Sequence, residues 1–183
     1  NQKIYAAGWS LGGTAALFNA WLPLQEALND PNASFAGYLM WYPGCLALPD
    51  VNEWDQDFMQ IYIGEDDNWT PPQPCKELVA LMNEKGGSAN IELYPNAFHS
   101  FDSPNPLKLW PDAYSWANCK LKLNGKTKKV YDPNNIDLDF SDPKARRAAY
   151  ESCAVKGEVM AGASPEYQNA AFEHLATLLP KLD

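Results

Sequence analysis

The sequence predicts an α/β fold: a parallel sheet flanked by helices, with an irregular insertion after the last strand. Three observations carry this reading. Apolar runs of strand length alternate with helix-like stretches as far as Tyr94. The run Phe35-Ala36-Gly37-Tyr38-Leu39-Met40-Trp41-Tyr42 is apolar without alternation, which suits a strand covered on both faces. The glycine-rich stretch Gly8-Trp9-Ser10-Leu11-Gly12-Gly13 joins a strand to a helix through a tight turn. Strand and helix in this rhythm give right-handed crossovers.

A length of 183 residues suits one domain with a proper core. The net charge of −9 argues against a nucleic-acid backbone or an anionic membrane as partner. No stretch has the apolar length of a membrane span. The chain opens at Asn1 directly on a strand and without a methionine, a start that reads as a cut, so the missing leader says nothing about compartment.

In chain order, Lys3-Ile4-Tyr5-Ala6-Ala7 is the first strand. Thr14 to Leu22 is a helix rich in small residues, ending near Pro23, with a further turn over Leu24 to Leu28. Asn29-Asp30-Pro31-Asn32 is a loop by composition. The apolar run from Phe35 ends at Pro43-Gly44, and residues 45–56 are irregular. Phe58 to Ile63 is the third strand. Thr70-Pro71 reads as the cap of a helix over Lys76–Lys85, with Leu78, Val79, Leu81 and Met82 as its buried stripe. Gly86-Gly87 stops it. Asn90 to Tyr94 alternates, as a strand near a sheet edge does.

From Ser103 to Gly162 the rhythm breaks, with Pro104, Pro106 and Pro111 among scattered aromatic residues. Residues 120–131 read as a hairpin on an Asn124-Gly125 turn. Asp142-Pro143 opens a helix to about Cys153. Ser164-Pro165 opens the last helix, with Tyr167, Ala171, Leu175 and Leu178 on one stripe.

The four cysteines are Cys45, Cys75, Cys119 and Cys153. None forms a C-x-x-C pair, and with two histidines in the chain a zinc site is not expected. They read either as four buried thiols, consistent with the cytoplasm, or as two disulfides, which imply a periplasmic or secreted protein. Of the three pairings, Cys45–Cys75 and Cys119–Cys153 are expected. The first two follow strand ends on one side of the sheet, and the other two bracket the hairpin and helix of the insertion.

Ser10 sits where the turn meets the helix. It reads either as an N-cap or as a nucleophile held in a strained conformation at a helix N-terminus, with the N–H of Leu11 facing a developing oxyanion. Three consecutive carboxylates, Glu65, Asp66 and Asp67, follow the third strand. Composition does not choose among them. His99 follows the fourth strand and is the base of choice, since imidazole titrates near neutrality. His174 lies inside the last helix and reads as a surface or helix-end residue. Trp9 and Trp69 flank these positions and are candidates for the walls of an apolar pocket, with core packing as the alternative. Asn32-Ala33-Ser34 and Asn68-Trp69-Thr70 match the glycosylation sequon, and a glycan on Asn68 would crowd the site.

The segments Gly8–Gly13, Gly64 to Pro71 and Tyr94 to Asp102 resemble the dienelactone hydrolase family, a branch of the α/β-hydrolase superfamily. The resemblance covers residues 1 to about 102 well and the closing helix loosely. Its G-x-x-D-x-x-x-P pattern aligns the acid with Asp67, and its histidine motif aligns with His99. It implies an α/β-hydrolase-type sheet and, with Ser10, Asp67 and His99, hydrolysis of a carboxylic ester or lactone without cofactor or metal. Two departures stand out. The namesake enzyme has a cysteine where this chain has Ser10, and family members carry strands before the elbow that this sequence lacks. The resemblance therefore implies a bare edge at the first strand, to be completed by an N-terminal segment or second chain. The alternative function is a non-catalytic module or inert fragment serving as a binding domain, with the 103–162 insertion as its binding surface.

Overall fold

The computed structural model describes residues 3–28, 35–55, 57–134 and 142–181. The expected loop at 29–32 and the sequon at Asn32 lie outside the described residues. The chain runs through β1 (Tyr5–Trp9), α1 (Leu11–Asn19), α2 (Leu22–Leu28), β2 (Gly37–Trp41), β3 (Ala47–Pro49), β4 (Phe58–Gly64), α3 (Pro72–Glu84) and β5 (Ser88–Tyr94). Then follow β6 (Lys108–Trp110), β7 (Tyr114–Ser115), β8 (Leu121–Leu123), β9 (Val130–Tyr131), α4 (Pro143–Cys153), β10 (Val155–Lys156), β11 (Val159–Ala161) and α5 (Ala170–Leu178). A short 3₁₀ turn, Leu179–Lys181, follows α5.

The main sheet has four strands in the order β1-β2-β4-β5, every neighbouring pair parallel. The two inner strands are the most apolar. Every residue of β2 is buried, and so is every residue of β4 after Phe58. Parallel strands need both faces covered, which is why these runs show no alternation. Leu78, Val79 and Met82 of α3 are buried. Each contributes about 1.5–3 kcal/mol by leaving water. Trp21 is fully buried between α1 and α2, and its indole nitrogen donates to the carbonyl of Val51 at 2.9 Å.

Three further small sheets lie among the described residues, two formed within the insertion and one shared with β3, which precedes it. β3 pairs in parallel with β8, which pairs antiparallel with β9, while β6 pairs with β11 and β7 with β10. The disulfides are Cys45–Cys75 and Cys119–Cys153, each with Cα atoms 5.0 Å apart.

Several expectations are corrected. α3 starts at Pro72, four residues before Lys76, because the first helical turn needs no N–H donors and tolerates Pro72 and Pro74. The Asn124-Gly125 pair is not a two-residue hairpin turn. Lys122 pairs with Tyr131 and Leu123 with Val130, and the Asn124 side chain accepts from the N–H groups of Lys126 and Thr127. The last helix starts at Ala170, and the stretch after Ser164 forms turns. The Ser164 N–H donates instead to the carbonyl of Phe101 at 2.9 Å. Residues 45–56, expected to be irregular, contain β3.

Candidate active site

The carboxyl ends of β1, β4 and β5 bring Ser10, Asp67 and His99 together. Ser10 Oγ lies 3.0 Å from His99 Nε2, and His99 Nδ1 lies 2.8 Å from Asp67 Oδ2. Asp67 and His99 are each only 2 % exposed, while Glu65 and Asp66 face solvent.

Each position has a local cause. Ser10 has φ 50° and ψ −117°, a conformation that L-residues rarely adopt, and its N–H is fixed by the carbonyl of Trp41 at 2.9 Å. Gly8 is required here, since a Cβ on it would collide with the carbonyl of Gly12. Gly13 packs closely as well, whereas Gly12 has open space, so the close approach of α1 to β1 rests on Gly8 and Gly13. Although Ser10 occupies the N-cap position of α1, its side chain caps nothing. The hydroxyl faces the imidazole instead.

Asp67 is held at both oxygens. Oδ1 accepts the N–H groups of Trp69 at 2.9 Å and Thr70 at 2.8 Å. Oδ2 accepts from the Thr70 hydroxyl at 3.0 Å and faces the imidazole. With the carboxylate on Nδ1, that nitrogen carries the proton and Nε2 is left to accept from Ser10. Gly64 lets the histidine loop come this close, because a Cβ there would strike the carbonyl of Ala97.

Thr70 is not the cap of α3. Its hydroxyl lies 3.1 Å from the carbonyl of Tyr42 and 3.0 Å from His99 Nδ1, so it belongs to the site. Two further residues were not singled out from sequence. Tyr42, at φ 38°, sets its ring edge-on to His99 with centroids 4.6 Å apart and donates its hydroxyl to Asp102 Oδ1 at 2.7 Å. Burial first, then the bond to Asp102, pushes the Tyr42 phenol far up, so it remains a donor. Asp102 also accepts from the indole of Trp9 at 2.8 Å, joining the end of β1 to the loops after β2 and β5. The signal for Asp102 was its place three residues after His99, within the histidine motif.

The return stretch of the insertion braces the same loops. The Gly162 N–H donates to the carbonyl of His99 at 2.8 Å. The Asn68 side chain donates to the carbonyl of Glu158 at 2.6 Å and accepts from the Met160 N–H at 3.1 Å. A glycan on Asn68 would break the first of these bonds.

An apolar cavity of about 470 Å³ opens at Ser10 and Leu11, with Phe18, Leu46 and Trp69 on its near side. Trp69 therefore stands where a pocket wall was expected. Trp9 does not line this cavity. Its indole lies on a sheet face, stacked on its cross-strand partner Trp41 at 4.6 Å. Leu11 is the first residue of α1, where backbone N–H groups have no carbonyl one turn behind them. His174 does not join Ser10; its ring packs edge-on to Tyr62 at 5.8 Å. It is half-buried, not a surface residue.

Strand, strained serine turn and close-packed helix recur here with an acid and a histidine on later strand ends. The fold is of the α/β-hydrolase type. Among solved structures it is similar to the apo form of Thermogutta terrifontis esterase 2, at 19 % identity and a TM-score of 0.44, covering 55 % of this chain and 47 % of that one. It is also similar to the carboxylesterase Cest-2923 from Lactobacillus plantarum WCFS1, at 17 % identity and a TM-score of 0.43, covering 54 % and 46 %. The chain spans about half the length of these structures. No protein-family model matches the sequence, and no curated protein is significantly similar to it.

Proposed function

We propose that the protein is a serine hydrolase that cleaves a carboxylic ester or lactone through an acyl-serine. The observation that carries this reading is the Ser10 hydroxyl, held in strained backbone, capping nothing, and 3.0 Å from a histidine whose other nitrogen faces a buried carboxylate. Ser10 Oγ attacks the carbonyl carbon while its proton passes to His99 Nε2. Asp67 stabilises the imidazolium. The N–H of Leu11 and the N-terminus of α1 face the developing oxyanion. His99 then gives the proton to the leaving alkoxide, and the alcohol departs. A water, deprotonated by His99, attacks the acyl-serine and releases the acid.

The motifs around Ser10, Asp67 and His99 support a dienelactone hydrolase-like enzyme. Serine in place of cysteine at the elbow puts a general carboxylic ester on an equal footing with the lactone. We also infer that the outer edge of β1 is covered by an N-terminal segment or second chain. Among the described residues β1 pairs only with β2, and Ile4 beside it is 64 % exposed. An unpaired strand edge of this kind invites pairing.

Intact-mass analysis before and after treatment with a methyl phosphonofluoridate tests both. One phosphonyl group is expected on Ser10, absent in Ser10→Ala along with ester turnover, a loss of at least about 10⁴-fold. Turnover persisting in Ser10→Ala overturns the assignment. A native mass above that of the 183-residue chain is expected, and a lone monomeric chain overturns the covered edge. An unlabelled Ser10 favours the non-catalytic module, whose support is the bare edge itself.

A further inference from the structure

The far wall of the cavity at Ser10 comes from the insertion, through Trp116, Leu121, Val130 and Tyr150. Among the described residues, no side chain lining the cavity carries a charge. The rings of Trp116 and Tyr150 meet edge to face, with centroids 4.9 Å apart and planes at 78°. Each stands three residues before a cysteine, and those two cysteines, Cys119 and Cys153, are bonded to each other. The disulfide thus ties together the two segments that carry the rings. The same two rings line a second hollow of about 270 Å³ beside Arg146 and Arg147, so they partition the two spaces.

We propose that this cavity binds an uncharged aromatic substituent of the ester, and that Trp116 and Tyr150, held together by Cys119–Cys153, set the size it accepts. The proposal rests on the reading of Ser10 as nucleophile. Phe18, Trp69, Trp116 and Tyr150 offer ring edges and faces from several sides. The volume lies in the usual range for a small-molecule site, about 300–1,000 Å³. An anionic substituent would lose its hydration there and meet no counter-charge from the described lining residues. Reach beyond the partition is closed while the ring pair stands.

The test compares rates of Ser10 phosphonylation by phosphonofluoridates that carry methyl, 3-phenylpropyl or carboxypropyl on phosphorus. In each, Oγ bonds to phosphorus, fluoride leaves, and the hydroxyl proton passes to His99. Phenylpropyl is expected to react about tenfold or more faster than methyl, and carboxypropyl more slowly than methyl. Trp116→Ala and Tyr150→Ala should each bring the phenylpropyl-to-methyl ratio towards one, and Trp116→Phe should restore most of it. A biphenyl-bearing reagent should gain on phenylpropyl in Trp116→Ala, where the partition is open. The double variant Cys119→Ser/Cys153→Ser should lose the preference in the same way. Equal rates for the three reagents on the wild-type protein, or a ratio untouched in Trp116→Ala, overturn the proposal. No labelling by the methyl reagent instead removes the reading of Ser10 on which it rests.

Discussion

Ser10 holds a backbone conformation that glycine tolerates and serine does not, so the residue at the centre of the site is also a local source of instability. Ser10→Gly is therefore expected to raise stability by about 1 kcal/mol while abolishing turnover, read as an increased urea midpoint. An unchanged or lower midpoint would show that the turn is relaxed with serine in place. Tyr42, whose ring packs against His99, and Ser100, next to it in sequence, also have positive φ, so strain gathers around the histidine. Ser10 was readable as a candidate nucleophile because glycines, strand and helix surround it in sequence. Asp67 was not readable from composition, since burial alone separates it from Glu65 and Asp66, and burial is a tertiary property. Thr70 was misread for the same reason. Thr-Pro is a cap signal locally, but its hydroxyl is drawn to groups on two other strand ends.

Among the elements, the main sheet was legible because β2 and β4 are continuous apolar runs that only a two-sided burial explains. The insertion was legible in part: its hairpin over 120–131 and its helix from Asp142-Pro143 to Cys153 are both present. Its other strands are two or three residues long and pair with partners far along the chain, as β6 does with β11 and β7 with β10. Such pairs leave no local period to read. One of these pairings reaches the site, because β11 and the turn after it brace the acid and histidine loops. Asn68→Ala removes two hydrogen bonds to this stretch and is expected to cost about 1–3 kcal/mol. Ester turnover should fall with it, by several-fold at temperatures where the variant is still folded. Denaturant melts and turnover both matching the wild-type protein would show that the brace is idle.

For the whole molecule, alkaline pH probes the aromatic core. Tyr62 and Tyr94 are buried, and their hydroxyls have no partner among the described residues. Burial first, then Glu92, pushes Tyr62 up to about 12. Tyr38, Tyr42 and Tyr94 are raised further, each mainly by burial. In the unfolded chain tyrosine loses its proton near pH 10, so above that value the folded state holds more protons than the unfolded one. The contribution of these phenols is fully present below about pH 10 and is lost as pH rises through 12. The urea midpoint should fall steeply above about pH 10, and the share of tyrosinate absorbance at 295 nm that belongs to Tyr38, Tyr42, Tyr62 and Tyr94 should appear only as the chain unfolds. Reversible ionisation of all nine tyrosines near pH 10 without loss of midpoint would contradict the burial of these rings.

The two disulfides close loops of 30 and 34 residues that neither nest nor cross. Each of the other two pairings of the same cysteines needs at least one loop more than twice as long. Loop closure grows costlier with length, by about 0.6 kcal/mol per doubling. A reduced chain meeting an oxidant therefore finds its native bonds first by chain statistics, before any tertiary structure guides it. Misbonded species should be a minority from the outset, and regain of the native bonds should depend little on a disulfide isomerase.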